Sequence, residues 1–230
     1  MNFLIKFLVL IVASVIQAKV GDFSKITNWD DYQKKVLSFQ SSIHGWCKES
    51  KAKDMMDLIF EVKPDVCVEV GVFGGSSIYP TASALKFNSR GRVYAIDPWV
   101  NDDCLTGYSR DDANYQWWNN VDLEGIYREF LKMLGRFQLR QYCVVLRMTG
   151  ATALSQFDDE SIDILHIDGN HTENAALFDA QMYFPKVKRG GYIWFDDANW
   201  ETTTKAREFL AQHCIKDEKR SKDEYFLYRK

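Results

Sequence analysis

Along most of the chain, the spacing of apolar residues alternates between a pattern typical of strands and one typical of helices. Short apolar runs, typical of buried strands, are followed by segments with apolar residues at helical spacing. The predicted strands are Val66–Val70, Arg92–Ile96, Cys143–Arg147, Ile162–Ile167, Tyr192–Phe195 and Tyr225–Tyr228. The predicted helices are Asn28–Phe39, Lys48–Phe60, Ser76–Phe87, Asp122–Leu134, Glu173–Phe184 and Thr203–His213. Because strands alternate with helices from Val66 onward, we predict an α/β fold with a mostly parallel sheet and helices on both faces.

The N-terminus has a different pattern. Met1–Lys6 contains one lysine, the apolar run Phe7–Ile16 follows it, and Ala18 is a small residue at the end of the segment. This order is typical of a secretory signal peptide, and the apolar run is short for a transmembrane helix. An uncleaved anchor or a buried first helix are the alternatives. The leader predicts an exported or membrane-anchored protein that meets a membrane only through this segment, with the cytoplasm as the alternative location.

Length and composition limit the class of protein. The 230 residues suffice for one α/β domain with a large core, and contents of 46% hydrophobic and 27% charged residues are ordinary for a globular protein. The formal net charge of −3 provides no electrostatic basis for a nucleic-acid partner. The five cysteines contain no C-x-x-C pair, which argues against a zinc ribbon or a thioredoxin-type site, and their odd number does not describe a disulfide framework.

The first predicted strand runs into a glycine-rich loop that contains Glu69, Gly71, Gly75 and Ser76. Glycines let the backbone approach a ligand, and free N–H groups at the start of the next helix bind a carboxylate or a phosphate. A tight strand-to-helix turn is the alternative explanation. The glycines at positions 71, 74 and 75 do not fit the G-x-G-x-x-G pattern of dinucleotide-binding loops, which argues against a nicotinamide oxidoreductase.

Carboxylates follow three further strands of the predicted sheet. Asp97 comes directly after the second strand, where a carboxylate can accept hydrogen bonds from both hydroxyls of a ribose; a helix cap is the alternative. Asp168 follows the fourth strand, and Asp196 and Asp197 follow the fifth. Neighbouring strand ends lie about 5 Å apart, so these three acids would repel one another unless a cation lies between them. Oxygen ligands at an open site suit Mg²⁺ or a similar divalent cation, whereas turn formation is the alternative use of aspartate.

Six stretches occur in an order that resembles one family, the bacterial class I methyltransferases of the methyltransferase domain 24 type. The stretches are GWCKESKAKDMM, VCVEVGVFGGSS, VYAIDPW, YQWWNNVDLEGIYREFL, SIDILHIDGNHTENA and VKRGGYIWFDDANW. The resemblance extends from about Gly45 to the C-terminus. The family is similar to macrolide-sugar O-methyltransferases and to cephalosporin-hydroxylase-like proteins, and the spacing of the acids is similar to that in catechol-type O-methyltransferases. The resemblance implies a Rossmann-like, mostly parallel seven-stranded sheet with an antiparallel last strand.

The resemblance also implies a set of site residues. Contacts with the cofactor S-adenosyl-L-methionine are implied at Glu69, Gly71, Gly75, Ser76, Asp97 and, beside the adenine, Thr149. Metal ligands are implied at Asp168, Asp196 and Asp197, although catechol-type enzymes have Asn as the third ligand. We expect Asp168 or His171 to take the proton of the acceptor, with a purely structural His171 as the alternative.

Together these features predict a methyltransferase domain over residues 63–230, preceded by the leader (1–18) and an N-terminal helical cap (19–62). The predicted activity is metal-assisted O-methylation of a hydroxyl on a small molecule or sugar. A cephalosporin-hydroxylase-like protein and an exported, non-catalytic ligand-binding protein are the alternatives. Aromatic residues of the segment 108–118, together with Trp46, are predicted to cover the substrate, or else to serve ordinary packing. The leader departs from the family pattern, and the sequence predicts no oligomeric state.

Overall fold

A computed structural model describes residues 23–230. The predicted leader (1–18) and the first residues of the predicted cap lie outside the described residues, so the export of the chain stays a prediction. The strands are β1 (Val66–Val70), β2 (Arg92–Asp97), β3 (Cys143–Arg147), β4 (Ile162–Ile167), β5 (Val187–Asp196), β6 (Ile215–Lys216) and β7 (Tyr225–Arg229). The helices are α1 (Trp29–Leu37), α2 (Glu49–Val62), α3 (Ile78–Asn88), α4 (Asn101–Cys104), α5 (Ala113–Asn120), α6 (Leu123–Arg136), α7 (Gly150–Ala153), α8 (Glu173–Tyr183) and α9 (Thr204–His213).

All seven strands form one sheet in the order β3-β2-β1-β4-β5-β7-β6. The five strands β1 to β5 are parallel, and β7 runs antiparallel to both β5 and β6. The predicted Rossmann-like, seven-stranded, mostly parallel sheet with an antiparallel last strand is therefore confirmed. The strand order reverses between β1 and β4, which is where ligands bind in sheets of this type.

Two strands differ from their predictions by more than one residue. β5 begins at Val187, five residues earlier than predicted, and it continues through Gly190 and Gly191 with a register shift against β4. Glycines inside a strand often mark such an irregularity. In the sequence, however, Gly190 and Gly191 resemble a turn that precedes the strand. The two-residue β6 was missed because it is too short to produce an alternating pattern.

Alternate strand residues point to two cores, one on each face of the sheet. Helices α1, α2, α3 and α6 cover the face that carries Cys67, Val93 and Ile164. Helices α8 and α9, with the short α7, cover the face that carries Val68, Leu165 and Ile193. Within residues 23–230, no helix is both long and apolar enough to cross a membrane. The sheet edge that carries the carboxyl ends of β1, β2, β4 and β5 is left for the loops that hold the candidate site.

Candidate functional site

The glycine-rich loop after β1 is shaped by contacts within the protein. Gly71 has φ of +86°, and a Cβ there would lie 1.9 Å from the carbonyl oxygen of Asp168. Gly75 has φ of +84°, and a Cβ there would lie 2.4 Å from the ring of Phe130 on α6. Left-handed backbone and close approach both favour glycine. The glycines therefore let the loop pack directly against the loop after β4 and against α6.

Asp97 binds the glycine-rich loop from the end of β2. Its Oδ2 accepts hydrogen bonds from the backbone N–H groups of Val72 and Phe73, both at 3.0 Å, and its Oδ1 accepts one from Trp99 at 2.7 Å. Burial raises the pKa of Asp97, and the three backbone N–H groups oppose that rise. Each carboxylate oxygen has two lone pairs, so Oδ1 can still accept a hydrogen bond from a ligand hydroxyl.

Glu69 and Ser76, both predicted to contact the cofactor, are buried and engaged with protein groups. Glu69 is 1% exposed; its Oε1 accepts a hydrogen bond from Ser77 Oγ at 2.5 Å, and its Oε2 lies 3.1 Å from His166 Nδ1. Ser76 Oγ accepts the backbone N–H of Cys47 at 3.1 Å. These side chains fix the loop and the segment before α2, and their contact with a cofactor stays a prediction.

An inner acidic cluster lies where β4 and β5 end. Asp196 is 7% exposed, and its Oδ2 lies 3.0 Å from His166 Nε2 and in direct contact with the ammonium group of Lys51. The same ammonium group lies 3.9 Å from Asp168 Oδ2. Lys51, on α2, is itself only 7% exposed. The buried ring of His166 thus lies between the carboxylates of Glu69 and Asp196.

An outer acidic cluster consists of Asp168, His171 and Asp197. His171 Nε2 lies 2.7 Å from Asp197 Oδ2 and 3.8 Å from Asp168 Oδ1. Burial lowers the pKa of His171, but the two neighbouring carboxylates outweigh it and raise the pKa to about 9. Burial would raise the pKa of Asp168, yet Lys51 and the two histidines lower it below its usual value. Asp168 therefore remains a carboxylate shared by both clusters.

Thr149 is the N-cap of the short helix α7, and its hydroxyl accepts the backbone N–H of Thr152 at 3.2 Å. Beside this loop lies a carboxyl group that the sequence did not single out, that of Asp179 on α8. Its oxygens face Gly150 and Gly169, and no group among residues 23–230 donates a hydrogen bond to it. Burial raises the pKa of Asp179 to about 7. The loops after β3 and β4 thus meet over an unpaired carboxyl group.

Asp179 should make the stability of the protein depend on pH. Above pH 3.8 the unfolded chain loses the proton, whereas the folded chain keeps it until about pH 7, so stability falls between these values. The shift corresponds to at most about 4 kcal/mol. We expect Asp179→Asn to raise the free energy of unfolding by about 1–3 kcal/mol at pH 8, less than that maximum because the buried amide also lacks a partner.

Urea denaturation at a series of pH values between 4 and 8 measures this effect. The exposed Asp158→Asn serves as the control and should follow the pH profile of the wild type. Equal pH profiles for Asp179→Asn and the wild type would show that the Asp179 carboxyl titrates normally.

Four aromatic side chains lie together beside the glycine-rich loop. This aromatic cluster consists of Trp46, Phe73, Trp117 and Trp118, of which Trp46 and Trp117 are exposed. Trp46 stacks on Phe73 with ring centroids 4.7 Å apart, and Trp117 lies 5.6 Å from Trp46 and 5.7 Å from Phe73. Trp46 is 66% exposed and Trp117 is 42% exposed. The two regions that were predicted to cover a substrate therefore meet each other, with an apolar surface open to solvent.

The segment that carries Trp117 is also attached to the loop after β4. Asn170 Nδ2 donates a hydrogen bond to the carbonyl of Thr106 at 2.8 Å, and Asn101 Nδ2 donates to the carbonyls of Trp118 and Val121. The segment from α4 to α5 therefore contacts both the loop after β4 and, through Trp117 and Trp118, Phe73 of the glycine-rich loop.

Strained backbone occurs at the same edge of the sheet. Phe73, Trp99 and Asp197 have φ values of +51°, +47° and +48°. They follow β1, β2 and β5. A left-handed conformation is costly for residues other than glycine, and it persists where the surrounding structure enforces it, often at functional sites.

The structure thus divides the predicted metal ligands between two clusters. Two sets of side chains could hold an ion among the described residues, His166 with Asp168 and Asp196, and Asp168 with His171 and Asp197. Sequence reasoning missed Lys51 because a lysine in an amphipathic helix is ordinarily exposed. Its signal, if any, was its position beside Ala52 on the apolar side of α2.

Comparisons with known proteins agree with this architecture. The family model described as a methyltransferase domain matches residues 68–198, and that of the rhamnosyl O-methyltransferase/CmcI family matches residues 12–103. The Sinorhizobium fredii protein y4gI is 26% identical over 143 residues, which cover 62% of this chain but only 14% of that longer protein.

Two solved structures show a similar fold. An O-methyltransferase from Bacillus cereus in complex with S-adenosylhomocysteine (SAH) has a TM-score of 0.57 and 15% identity, over 94% of this chain and 96% of that chain. An SAH-bound methyltransferase from Podospora anserina has a TM-score of 0.59 and 10% identity, over 86% of each chain. The methyltransferase-domain match spans more than half of the 230 residues, including the glycine-rich loop and all the clustered acids. The chain therefore belongs to the methyltransferase domain family of class I, S-adenosylmethionine-dependent methyltransferases.

Proposed function

We propose that the protein transfers a methyl group from S-adenosylmethionine to a hydroxyl oxygen of a small molecule or sugar, assisted by a divalent cation. The observation that carries the proposal is the outer acidic cluster of Asp168, His171 and Asp197, which adjoins the glycine-rich loop through the contact between Gly71 and Asp168. The names of one matching family and of the Bacillus cereus neighbour support an oxygen acceptor.

The cofactor would lie against the glycine-rich loop. Bound S-adenosylmethionine would supply the methyl group, whose C–S bond breaks as the new C–O bond forms. Asp97 holds the loop in place and offers its remaining acceptor capacity to the ribose hydroxyls. Thr149, which the family resemblance implies beside the adenine, would lie at that end of the cofactor, with the buried Asp179 next to its loop.

The outer acidic cluster fits a divalent cation, because two carboxylates and an imidazole converge there without a lysine among them. A cation held by the carboxylates of Asp168 and Asp197 would supply positive charge that favours loss of the acceptor's proton. The inner cluster fits less well, since Lys51 already contacts Asp196.

The chain's own residues align the acceptor and receive its proton. His171 would take the hydroxyl proton, because a cation bound to Asp168 and Asp197 would remove the carboxylate interactions that raise its pKa, and the ring of Trp200 packs against the imidazole. The aromatic cluster offers apolar faces on which a sugar ring or a phenol can stack. Alignment and exclusion of water then supply most of the rate.

Two measurements test this function. SAH should bind to the wild-type protein in calorimetry. Mass spectrometry should then find a methyl ether after incubation of the protein with S-adenosylmethionine and hydroxylated probes, namely catechol and methyl rhamnoside, and the rate should fall when EDTA removes the cation. Amine and thiol analogues of the probes are the controls. Methylation of these analogues alone would assign another acceptor atom, and the absence of SAH binding would overturn the proposal.

A further inference from the structure

The inner acidic cluster contains an unusual cation, the ammonium group of Lys51. A buried lysine is costly unless its charge is paired. Lys51 is 7% exposed, and its ammonium contacts Asp196 Oδ2 and lies 3.9 Å from Asp168 Oδ2. Those two oxygens also face the ring of His166, at 3.0 and 3.9 Å. The lysine therefore lies among the same groups that form the inner set of possible metal ligands.

A divalent ion shared by Asp168 and Asp196 would have to take nearly the same place. Such an ion lies about 2.0–2.6 Å from carboxylate oxygens, and at that distance from Asp196 it would be close to the ammonium group. A divalent ion and an ammonium group at such a short separation repel each other strongly inside a protein. Lys51 and an ion bound to Asp196 thus exclude each other.

Packing of the helix α2 against the sheet fixes the position of Lys51. Its neighbours Ala52, Met55 and Met56 are buried in the core against the sheet, so the base of the lysine side chain is fixed by packing. On the same helix, Lys53 is 52% exposed and pairs with Asp57 at the surface. The helix therefore directs Lys51 toward the acidic cluster and Lys53 toward solvent.

We propose that Lys51 is a built-in cation of the candidate site, which replaces a metal ion between Asp168 and Asp196. Asp196 is then the counter-ion of a lysine and not a metal ligand, and a divalent ion binds only at the outer cluster. Lys51 acts as a positioning residue, because its ammonium group lies within ion-pair distance of both Asp196 and Asp168. The inference rests on the proposed function only in treating these acids as the centre of the site.

Titration of the full-length protein with Mn²⁺, followed by electron paramagnetic resonance, tests this assignment. With Lys51 unchanged, Asp196→Asn should have a Mn²⁺ affinity within about twofold of that of the wild type. Asp197→Asn should weaken the affinity about tenfold, or about 1.4 kcal/mol. A clear loss of affinity in Asp196→Asn would overturn the proposal. This comparison does not require a change at Lys51, so it holds even if variants of the lysine fold poorly.

Removing the lysine provides the complementary test. Lys51→Met preserves the apolar length of the side chain, and it should bind Mn²⁺ at least about tenfold more tightly than the wild type, since the inner ligands become available. Lys53→Met is the matched control and should bind as the wild type does. Thermal unfolding should show that Mn²⁺ stabilises Lys51→Met more than the wild type. Equal Mn²⁺ affinity in folded Lys51→Met and wild type would refute the built-in cation.

A failure of the Lys51 proposal can be distinguished from a failure of the proposed methyl transfer. Calorimetry with SAH on the same preparations reports cofactor binding independently of Mn²⁺. If SAH fails to bind while the Mn²⁺ pattern is as expected, the methyl-transfer proposal fails and the assignment of Lys51 stands. If SAH binds and Asp196→Asn loses Mn²⁺, the reverse holds.

Discussion

Replacement of Asp97 by alanine should lower the affinity for SAH by about 100-fold or more, which corresponds to about 2.7 kcal/mol. The carboxylate accepts three backbone hydrogen bonds, two of them from the glycine-rich loop. Hydrogen bonds to a charged group contribute about 1.5–3 kcal/mol each, and their buried donors would lose their partner. The loop would no longer be held in its strained conformation at Phe73, and the implied ribose acceptor would also be missing. Calorimetry with SAH measures the change.

Asp163→Ala is the matched control for this prediction. Asp163 also accepts two backbone hydrogen bonds, from Asp65 and Val66 at 2.9 Å, but it does so at the opposite end of the sheet. Both variants should lose stability in urea denaturation, because each removes a carboxylate that binds backbone N–H groups. Only Asp97→Ala should lose SAH affinity. A similar loss in both variants would mean that binding reports general destabilisation and not the loop.

The sequence predicted the main strands and helices well, because each of them carries a clear local pattern of apolar residues. The strands β1 and β4 have the predicted bounds, and α6 lies within two residues of its prediction. These elements have unbroken apolar runs or a clear helical period. The order of the motifs then fixed the topology, since the family resemblance covers all of the parallel strands. Short or interrupted elements such as β6 and the start of β5 were the exceptions.

The contents of the candidate site were only partly predictable. The sequence correctly placed Asp97, Asp168 and Asp196 at strand ends, because the carboxyl ends of parallel strands share one edge of the sheet. It did not reveal that Asp196 and Asp197 diverge into separate clusters. Successive side chains point to opposite sides of a strand, and Asp197 has a left-handed φ of +48° that turns the chain further.

The partners of these acids were hidden for a different reason. Lys51 and Asp179 come from helices whose contact with the strand ends depends on tertiary packing, and no local pattern marks them. Charged residues in amphipathic helices are ordinarily solvated, so neither residue could be recognised as buried from the sequence. The electrostatics of the site therefore depend on long-range contacts, even though its backbone frame is set by local motifs.

Among the loop residues that form this site, Gly71 should be the least tolerant of substitution. We expect Gly71→Ala to lower the free energy of unfolding by about 4 kcal/mol or more, an exceptional loss for one methyl group. The left-handed φ of +86° accounts for about 1–2 kcal/mol. The remainder comes from the Cβ, which would lie 1.9 Å from the carbonyl oxygen of Asp168 and cannot be accommodated unless backbone moves. Urea denaturation of the two proteins measures the difference.

Gly190→Ala separates the two contributions. Gly190 has a similar φ of +78°, but the nearest atom to a Cβ there is the far end of the Arg229 side chain, at 3.7 Å. This variant should therefore lose only about 1–2 kcal/mol and keep its affinity for SAH. Any folded Gly71→Ala should instead bind SAH poorly, because the displaced carbonyl belongs to the loop that presents Asp168 to both acidic clusters. Equal losses of stability at the two glycines would show that the loops after β1 and β4 separate easily, and that their contact does not organise the site.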